Sequence, residues 1–494
     1  MAKKPRPVLM PWDDLAWEQS DAQADAWERA QLNADSFRAV AKFINQHKPG
    51  KAVELHKPIR GGNNVCYRLE YDDRSSVALR IPIDRPGVKF ADEKVMIEVA
   101  TMRLVSEQTT IPVPKIYHFG AAADNPLGLG PFIIMDYVEH ESTMSDAMAD
   151  SSLAPGEDHV LDPNIEEEKL EFFYRQLANV LLQLSRLQFN RIGSLLQDET
   201  GHISVSGRPL IQNMSHLMQF TGTPDAVLPS SPYPDIKSWY AALADMHIAQ
   251  FTFQHNDAIL DEDDARDKFV ARLLFRQLVY EDRLTSTADG QSTRQPDIRL
   301  FSEDLRPSNV LLDKDLRIAG VIDWEYAYAA PTQFSEDPPW WLLLMKPDEW
   351  PGAYESWMQA YEPRLRTFLR ILEDEEKKLG ANKNGNGTKL NGSAPTEVCL
   401  SERMRKSWDD KTWMIGFAAR NSWAFDLIFW RYLDPKYFGP NEAAGYRARL
   451  GRLTQKQREA MEDLVAVKMK EGRECKLKEW DPDKAKAHLA RFWN

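Results

Sequence analysis

The segment Phe301-Ser-Glu-Asp-Leu-Arg-Pro-Ser-Asn-Val-Leu-Leu-Asp313, continuing to Gly320-Val-Ile-Asp-Trp-Glu325, constrains what this chain can fold into more than any other stretch. Asp304 is followed five positions later by Asn309. An apolar run then reaches Leu312, a turn follows at Asp313-Lys-Asp315, and a second apolar run from Leu316 to Ile322 ends on Asp323. Apolar runs broken by Asp-rich turn residues read as strand, turn, strand, and a hairpin there fixes both acids on one rigid unit. Either aspartate alone reads as a turn or strand-end residue. Together with Asn309 they form the set that phosphoryl transfer needs: a loop carboxylate to position or deprotonate a hydroxyl, and an asparagine plus a second carboxylate to hold magnesium on phosphates.

The rest of the chain supplies a scaffold of matching size. Its 494 residues suit two or more lobes with insertions. Residues 1 to about 45 read as an N-terminal extension with an amphipathic helix at Ser36 to Gln46. From Ala52 the pattern becomes short alternating runs, Val53 to Pro58, Val65 to Tyr71 and Val77 to Ile83. Gly-Gly-Asn-Asn at 61 to 64 and Asp-Asp-Arg-Ser at 72 to 75 separate them, which suits successive antiparallel hairpins. Val95, Val99, Met102 and Val105 recur at helical steps within Asp92 to Ser106, and Phe132 to Val138 reads as a buried strand. The acidic region 139 to 165 reads as loop. Leu170 to Leu187 marks one face of a long helix, and the chain after the hairpin is helical and aromatic-rich. Residues 284 to 297 and 374 to about 396 have too few apolar side chains to offset their ordering entropy and read as disordered. The sequons at Asn386 and Asn391 read as chance products of such a linker.

The quoted residues resemble the catalytic and metal-binding loops of the aminoglycoside phosphotransferase and choline kinase-like superfamily, where a Gly-Val-Ile-Asp-Trp-Glu-like motif stands in place of the protein-kinase Asp-Phe-Gly. Fungal members share the Asp-Leu-Arg-Pro-Ser-Asn wording and a Pro-Pro-Trp-Trp-Leu-Leu-Leu run like that at 338 to 344. The resemblance covers roughly residues 50 to 350. It implies an α+β, bilobal, protein-kinase-like fold: a small antiparallel-sheet lobe at 51–136 after the extension at 1–50, and a large, mostly helical lobe at 137–494 carrying the catalytic loop at 301–325. It also implies ATP and magnesium as cofactors, with Asp304 as the catalytic carboxylate and Asn309 and Asp323 as metal ligands. Gly61, Gly62 and Asn63 fall where the family places its phosphate-covering loop, and glycine there lets backbone N–H groups approach phosphate oxygens. Arg80 stands where kinases place a phosphate-binding lysine, with Glu98 as its ion-pair partner, although a planar guanidinium is not equivalent to a compact ammonium. Asp136, Tyr137 and Val138 would be the hinge whose backbone pairs with adenine. Ser302 departs from the pattern, since kinase-like loops usually carry a histidine two residues before the catalytic aspartate.

The function these features imply is ATP- and magnesium-dependent phosphorylation of a hydroxyl on a small molecule whose identity the sequence leaves open, as it does the oligomeric state. Ser302, Arg80 and the long insertions support the alternative of a catalytically silent, nucleotide-binding or interaction module. If the acceptor is cationic, Glu325, Glu336, Asp337 and the Trp-rich run near Trp340 are candidates to line its pocket. A formal charge of −13 argues against a nucleic-acid partner. The three cysteines are far apart and lack metal or disulfide spacing. The longest apolar run, Trp340 to Met345, is too short to span a bilayer, and the N-terminus lacks the apolar run of a signal peptide, so the expected location is cytoplasmic with no membrane partner.

Overall fold

A computed structural model describes residues 13–85, 88–154, 156–284, 297–384 and 399–493. Its first part is a six-stranded antiparallel sheet built from β1 (Ala52–Leu55), β2 (Ile59–Arg60), β3 (Asn64–Tyr71), β4 (Ser76–Pro82), β5 (Ile116–Gly120) and β6 (Phe132–Asp136). The order is β1-β3-β4-β6-β5, with β2 also paired to β3. Strand periodicity sorts its side chains. On β3, Val65, Tyr67, Leu69 and Tyr71 are buried on one face, and Val77, Leu79 and Ile81 of β4 join them. The opposite face of β4 carries Ala78 and Arg80, and this periodicity turns Arg80 toward the helix that crosses there.

Two helices precede the sheet, α1 (Asp14–Gln31) and α2 (Ala34–His47), each started by a side chain that caps it, Asp13 and Asn33. The stretch read as an extension is therefore structured. Val40, Phe43 and Ile44 of α2 belong to the same core cluster as the sheet face of Val65 and Leu79. Helix α1 reaches both ways. Asp25 and Glu28 accept from Arg60 at 2.8 and 2.7 Å, while Trp17 stacks on Phe220 at 5.5 Å and Asp13 accepts from Asn256 at 2.8 Å. The helix predicted over Asp92 to Ser106 is α3 (Ala91–Gln108).

Beyond residue 137 the chain is mostly helical, with long helices at Glu167–Leu184, Ile236–Phe253, Glu262–Tyr280, Ala353–Asn384 and Gln455–Glu471. The region 139 to 165 is not only loop: it holds a short strand, Ser142–Thr143, and a helix, Met144–Met148. The predicted hairpin is present as Val310–Leu312 paired with Ile318–Val321, and Ser142–Thr143 adds a third strand to it. Asp313 Oδ1 braces the turn by accepting from the Asp315 and Arg317 amides, both at 2.9 Å. Residues 374–384, read as part of a disordered insertion, are instead the last turns of Ala353–Asn384. Glu375 accepts from Arg175 at 2.7 Å, and Glu376 accepts from the Ser401 amide at 3.1 Å. Residues 285–296 and 385–398, including both sequons, lie outside the described residues. Among the described residues no helix is long and apolar enough to cross a membrane.

The large lobe buries histidines that stay neutral, and this sets an acid limit on stability. Burial holds His247 well below its ordinary value, with the Arg272 cation adding to the effect, and burial pushes His216 down to about 3, helped by Lys346 and Lys94. The sign follows from a depressed folded-state pKa. Above about pH 6.5 both states are neutral and the contribution is complete, whereas below it the unfolded chain binds protons that the folded chain refuses, at up to about 1.4 kcal/mol per pH unit for each histidine. The expected result is a urea midpoint that falls from pH 7 to pH 5 less steeply in His247→Phe than in the native protein. Ser422, which His247 Nδ1 meets at 2.9 Å, keeps its bond from Asn213 in that variant.

Candidate active site

The candidate catalytic loop hangs from the end of a strand. Ile298–Ser302 pairs in register with Ala327–Pro331, so that Ser302 lies opposite Ala327 and the loop leaves the sheet there. Pro307 opens the short helical turn Pro307–Asn309, which brings the Asn309 side chain back onto Asp304. Asn309 Nδ2 donates to Asp304 O at 2.8 Å and to Asp304 Oδ2 at 3.1 Å, and Arg306 Nε lies 3.0 Å from Asp304 Oδ1. Asn309 and Arg306 thus hold Asp304 from within the loop where Ser302 replaces the usual histidine.

The hairpin carries the second acid. The Ile322 amide donates to Asn309 O at 3.0 Å, which ties the end of one strand to the start of the other and leaves Asp323 one residue beyond. Asp323 adopts φ +66°, a left-handed conformation that aspartate tolerates better than most residues. Trp324 then buries completely and donates from Nε1 to Val321 O at 3.1 Å, which anchors the bend. At Gly320 an added Cβ would lie 3.1 Å from both methyls of Val138, so glycine permits the close approach of hairpin and hinge.

Across the cleft, Arg80 meets Glu98 through Nη1 and Asp323 Oδ1 through Nη2 at 2.6 Å, with Glu325 Oε2 at 3.5 Å. Glu98 and Glu325 are 2% and 3% exposed, so this is a desolvated network rather than a surface pair. Burial lowers the Arg80 pKa, but the Asp323 and Glu325 carboxylates outweigh it and hold the guanidinium above its ordinary value. Burial drives the Asp323 pKa upward against Arg80, and the neighbouring charges of Glu325 and Asp304 push it the same way. Lys94, one helical turn before Glu98, donates to Glu325 Oε1 at 3.4 Å and sits 4.5 Å above the Tyr326 ring. Sequence reasoning missed Lys94. The available signal was its spacing of four residues from Glu98, which places both on one face of α3.

Gly61, Gly62 and Asn63 form the β2–β3 turn, closed by the Gly61 amide on Asn64 O at 2.8 Å. Arg85 braces it, donating to Gly62 O at 2.6 Å and Asn63 Oδ1 at 3.2 Å, and its other nitrogen reaches Asp21 of α1 at 3.3 Å. A Cβ on Gly62 would meet nothing within 4 Å, so the turn has an open side. The hinge is more committed to the protein than expected. The Asp136 and Tyr137 amides donate to Lys115 O and Ser76 O at 2.9 and 3.1 Å, and Val138 O lies 2.8 Å from His140 Nδ1.

Magnesium fits this donor set. The amide nitrogen of Asn309 is used on Asp304, which leaves its amide oxygen out of that bond, and with the carboxylates of Asp304 and Asp323 it makes an all-oxygen set of the kind a hard divalent cation takes.

Residues 56–372 match the family model described as "Phosphotransferase enzyme family". The chain belongs to this family. Its relatives include proteins named "Altered inheritance of mitochondria protein 9, mitochondrial". The one from Lachancea thermotolerans is 26% identical over an alignment of 328 positions that covers 60% of this chain and 51% of that protein. The Kluyveromyces lactis protein is 27% identical over 152 residues, 31% of this chain and 23% of the relative. The chain thus matches at most about half the length of these relatives. Among solved structures, the macrolide 2'-phosphotransferase MphH apoenzyme from Brachybacterium faecium aligns with 83% of this chain and 99% of its own at 13% identity and a TM-score of 0.32. A Plasmodium vivax ethanolamine kinase aligns with 95% and 93% at 10% identity and 0.34.

The relatives' name overturns the cytoplasmic expectation, because those proteins are designated mitochondrial. An apolar run marks a secretory signal and not a mitochondrial leader. Mitochondrial leaders are amphipathic and arginine-rich.

Of the acids that could line a pocket for a cationic acceptor, two are held by the protein's own cations. Glu325 is locked between Arg80 and Lys94, and Glu336 accepts from Arg403 at 2.8 Å. Asp337, together with Trp340 and Trp341, lines a cavity bounded also by Ser302, Glu303 and Leu305.

Proposed function

We propose that this family member transfers the γ-phosphoryl group of ATP, in the presence of magnesium, to a hydroxyl of a small molecule. The observation that carries the reading is Asp304 bonded to Asn309 in the braced loop that leads into the hairpin, with Asp323 at the hairpin's far end held by an Arg80 already aligned by Glu98. Asp304 orients the acceptor hydroxyl and takes its proton as the oxygen bonds to phosphorus and ADP leaves. Asn309 and Asp323 would hold magnesium, which when bound supplies positive charge on the phosphate oxygens. Arg80 faces the same phosphates with a guanidinium fork, and the open side of the Gly61–Asn63 turn lets backbone N–H groups cover them.

A catalytically silent reading has one specific observation in its favour: Arg80 already occupies Asp323 Oδ1 at 2.6 Å, which competes with a metal for that oxygen. The test is incubation of the purified protein with γ-labelled ATP, magnesium and a pooled extract of small hydroxyl compounds. Label appearing in a new small molecule supports the kinase. Label remaining in ATP across the whole pool supports the silent module. The relatives' name supports a mitochondrial setting, which fractionation of tagged protein tests directly.

A further inference from the structure

Helix α1 is seated in two separate cores. Ala16 is buried in the cluster that fills the large lobe and Trp17 packs against it, whereas Ala24 is buried in the cluster under the small-lobe sheet and Trp27 packs there. The two tryptophans stand roughly 15 Å apart along the helix axis, so one rigid rod joins the lobes.

The large-lobe end is fixed by buried contacts. Trp17 stacks on Phe220 at 5.5 Å, and Phe220 meets Trp423 edge-on at 5.9 Å. The cap residue Asp13 is buried and accepts from Asn256 at 2.8 Å, while Asn256 also pairs with the Lys476 carbonyl and amide at 3.0 and 3.1 Å.

The small-lobe end works by charge. Trp17, Asp21, Asp25 and Glu28 recur at steps of three and four residues and so share one face of the helix. Asp25 and Glu28 accept from Arg60, the last residue of β2, and Asp21 accepts from Arg85 at 3.3 Å. These two arginines hold the Gly61–Asn63 turn between them. Arg60 leads directly into it, and Arg85 closes over it by donating to Gly62 O at 2.6 Å and to Asn63 Oδ1 at 3.2 Å. The Ile83 amide adds a bond to Asn63 O at 2.9 Å, which ties the turn to the segment that carries Arg85. Arg85 is only 14% exposed, so water competes poorly for its bonds.

A clamp on a glycine turn has a physical purpose. Glycine leaves the backbone many shapes, and ordering it on a ligand costs conformational entropy. A turn held in place before the ligand arrives loses less on binding. Arg85 also offsets the negative ends of two acceptor dipoles on a turn that is to cover anionic phosphates.

We propose that α1 is a strap that carries the position of the large lobe to the Gly61–Asn63 turn, with Arg85 as the positioning residue that fixes the turn over the nucleotide phosphates. The role at the phosphates rests on the kinase reading, while the coupling of α1 to the turn rests on the contacts alone.

The test separates the two. Amide hydrogen exchange is followed without nucleotide in the native chain and in two variants. Trp17→Ala removes an anchor on the large lobe, and the double variant Asp21→Ala, Asp25→Ala loosens the grip on both arginines. The expected result is exchange at least threefold faster across residues 59–68 in both, with the helix Glu167–Leu184 unchanged. A folded variant of either kind whose residues 59–68 exchange at the native rate, even with α1 itself exchanging faster, would overturn the coupling. If one variant unfolds, shown by faster exchange in Glu167–Leu184 as well, the other decides. Calorimetric titration with magnesium-ATP and with adenosine then reports on the phosphates. Arg85→Met is expected to bind magnesium-ATP about tenfold more weakly and adenosine as before, and Arg85→Lys to recover part of the loss, because an ammonium still reaches one of the two oxygens. Equal weakening of both ligands, or of neither, would remove Arg85 as the positioning residue. If Arg85→Met does not fold, the same comparison in Arg85→Lys decides. A native chain that binds neither ligand would remove the kinase reading and the role at the phosphates, and the exchange result would still judge the coupling.

Discussion

Asp304→Asn is expected to slow phosphoryl transfer by about 10²- to 10⁴-fold, the contribution of a positioned proton acceptor, while nucleotide binding persists. The substitution is nearly isosteric, and the loop has a reason to keep its shape. Asn309 Nδ2 retains its 2.8 Å bond to the main-chain oxygen of residue 304, which does not depend on the side chain. The carboxylate itself is what disappears, and with it the partner of Arg306 at 3.0 Å and the group that accepts the hydroxyl proton. Single-turnover ADP formation with and without acceptor separates the two roles. A variant with native turnover would remove Asp304 from the chemistry.

Arg272→Met is expected to cost about 3–5 kcal/mol, read as a large drop in urea midpoint. Arg272 is completely buried. Its Nε donates to His247 O at 2.8 Å, Nη2 to Gln250 Oε1 at 2.7 Å, and Nη1 to Lys268 O at 3.0 Å and to Asp426 Oδ1 at 2.6 Å. The guanidinium therefore joins three helices of the large lobe, Ile236–Phe253, Glu262–Tyr280 and the short Phe425–Ile428, at one point. Methionine fills similar space but leaves Asp426 without its counter-ion. The double variant Arg272→Met, Asp426→Leu is expected to recover part of the loss, since the unpaired charge is removed with its partner. A double variant as unstable as the single one would show that the main-chain and Gln250 bonds, not the ion pair, dominate.

What the sequence revealed and what it concealed divide along the range of the interactions. Asp304, Asn309 and Asp323 were legible because turn chemistry and strand alternation place them, and both are local. The hairpin turn is braced by Asp313 on the amides of residues two and four ahead. Arg80 and Glu98 lie 18 residues apart, on a strand and a helix whose periods were each readable. Lys94 and Glu325 meet across 231 residues, and neither carries a local mark of its partner. The same limit explains Glu325, which reads as an exposed loop acid until a lysine from α3 is seen beside it. Residues 374–384 misled for a related reason. Their charged composition suggests disorder, yet Arg175 and Ser401, far away in sequence, pair with Glu375 and Glu376 and hold the helix in place. The Trp-rich run at 340 to 343 read more as core than as pocket, and the structure uses it as both, with Trp341 buried and yet lining the cavity.

If Asp323 and Asn309 hold magnesium on a bound nucleotide, a thermal melt of the purified protein with ATP, with and without magnesium, beside Asp323→Ala, will show it. Ligand that binds only the folded state raises apparent stability by mass action, by about 2.7 kcal/mol at a hundred times Kd. The expected result is a magnesium-dependent rise in melting temperature that disappears in Asp323→Ala, whose Arg80 keeps Glu98 as a partner. No rise in either protein at millimolar nucleotide, or an equal rise in both without magnesium, would contradict it.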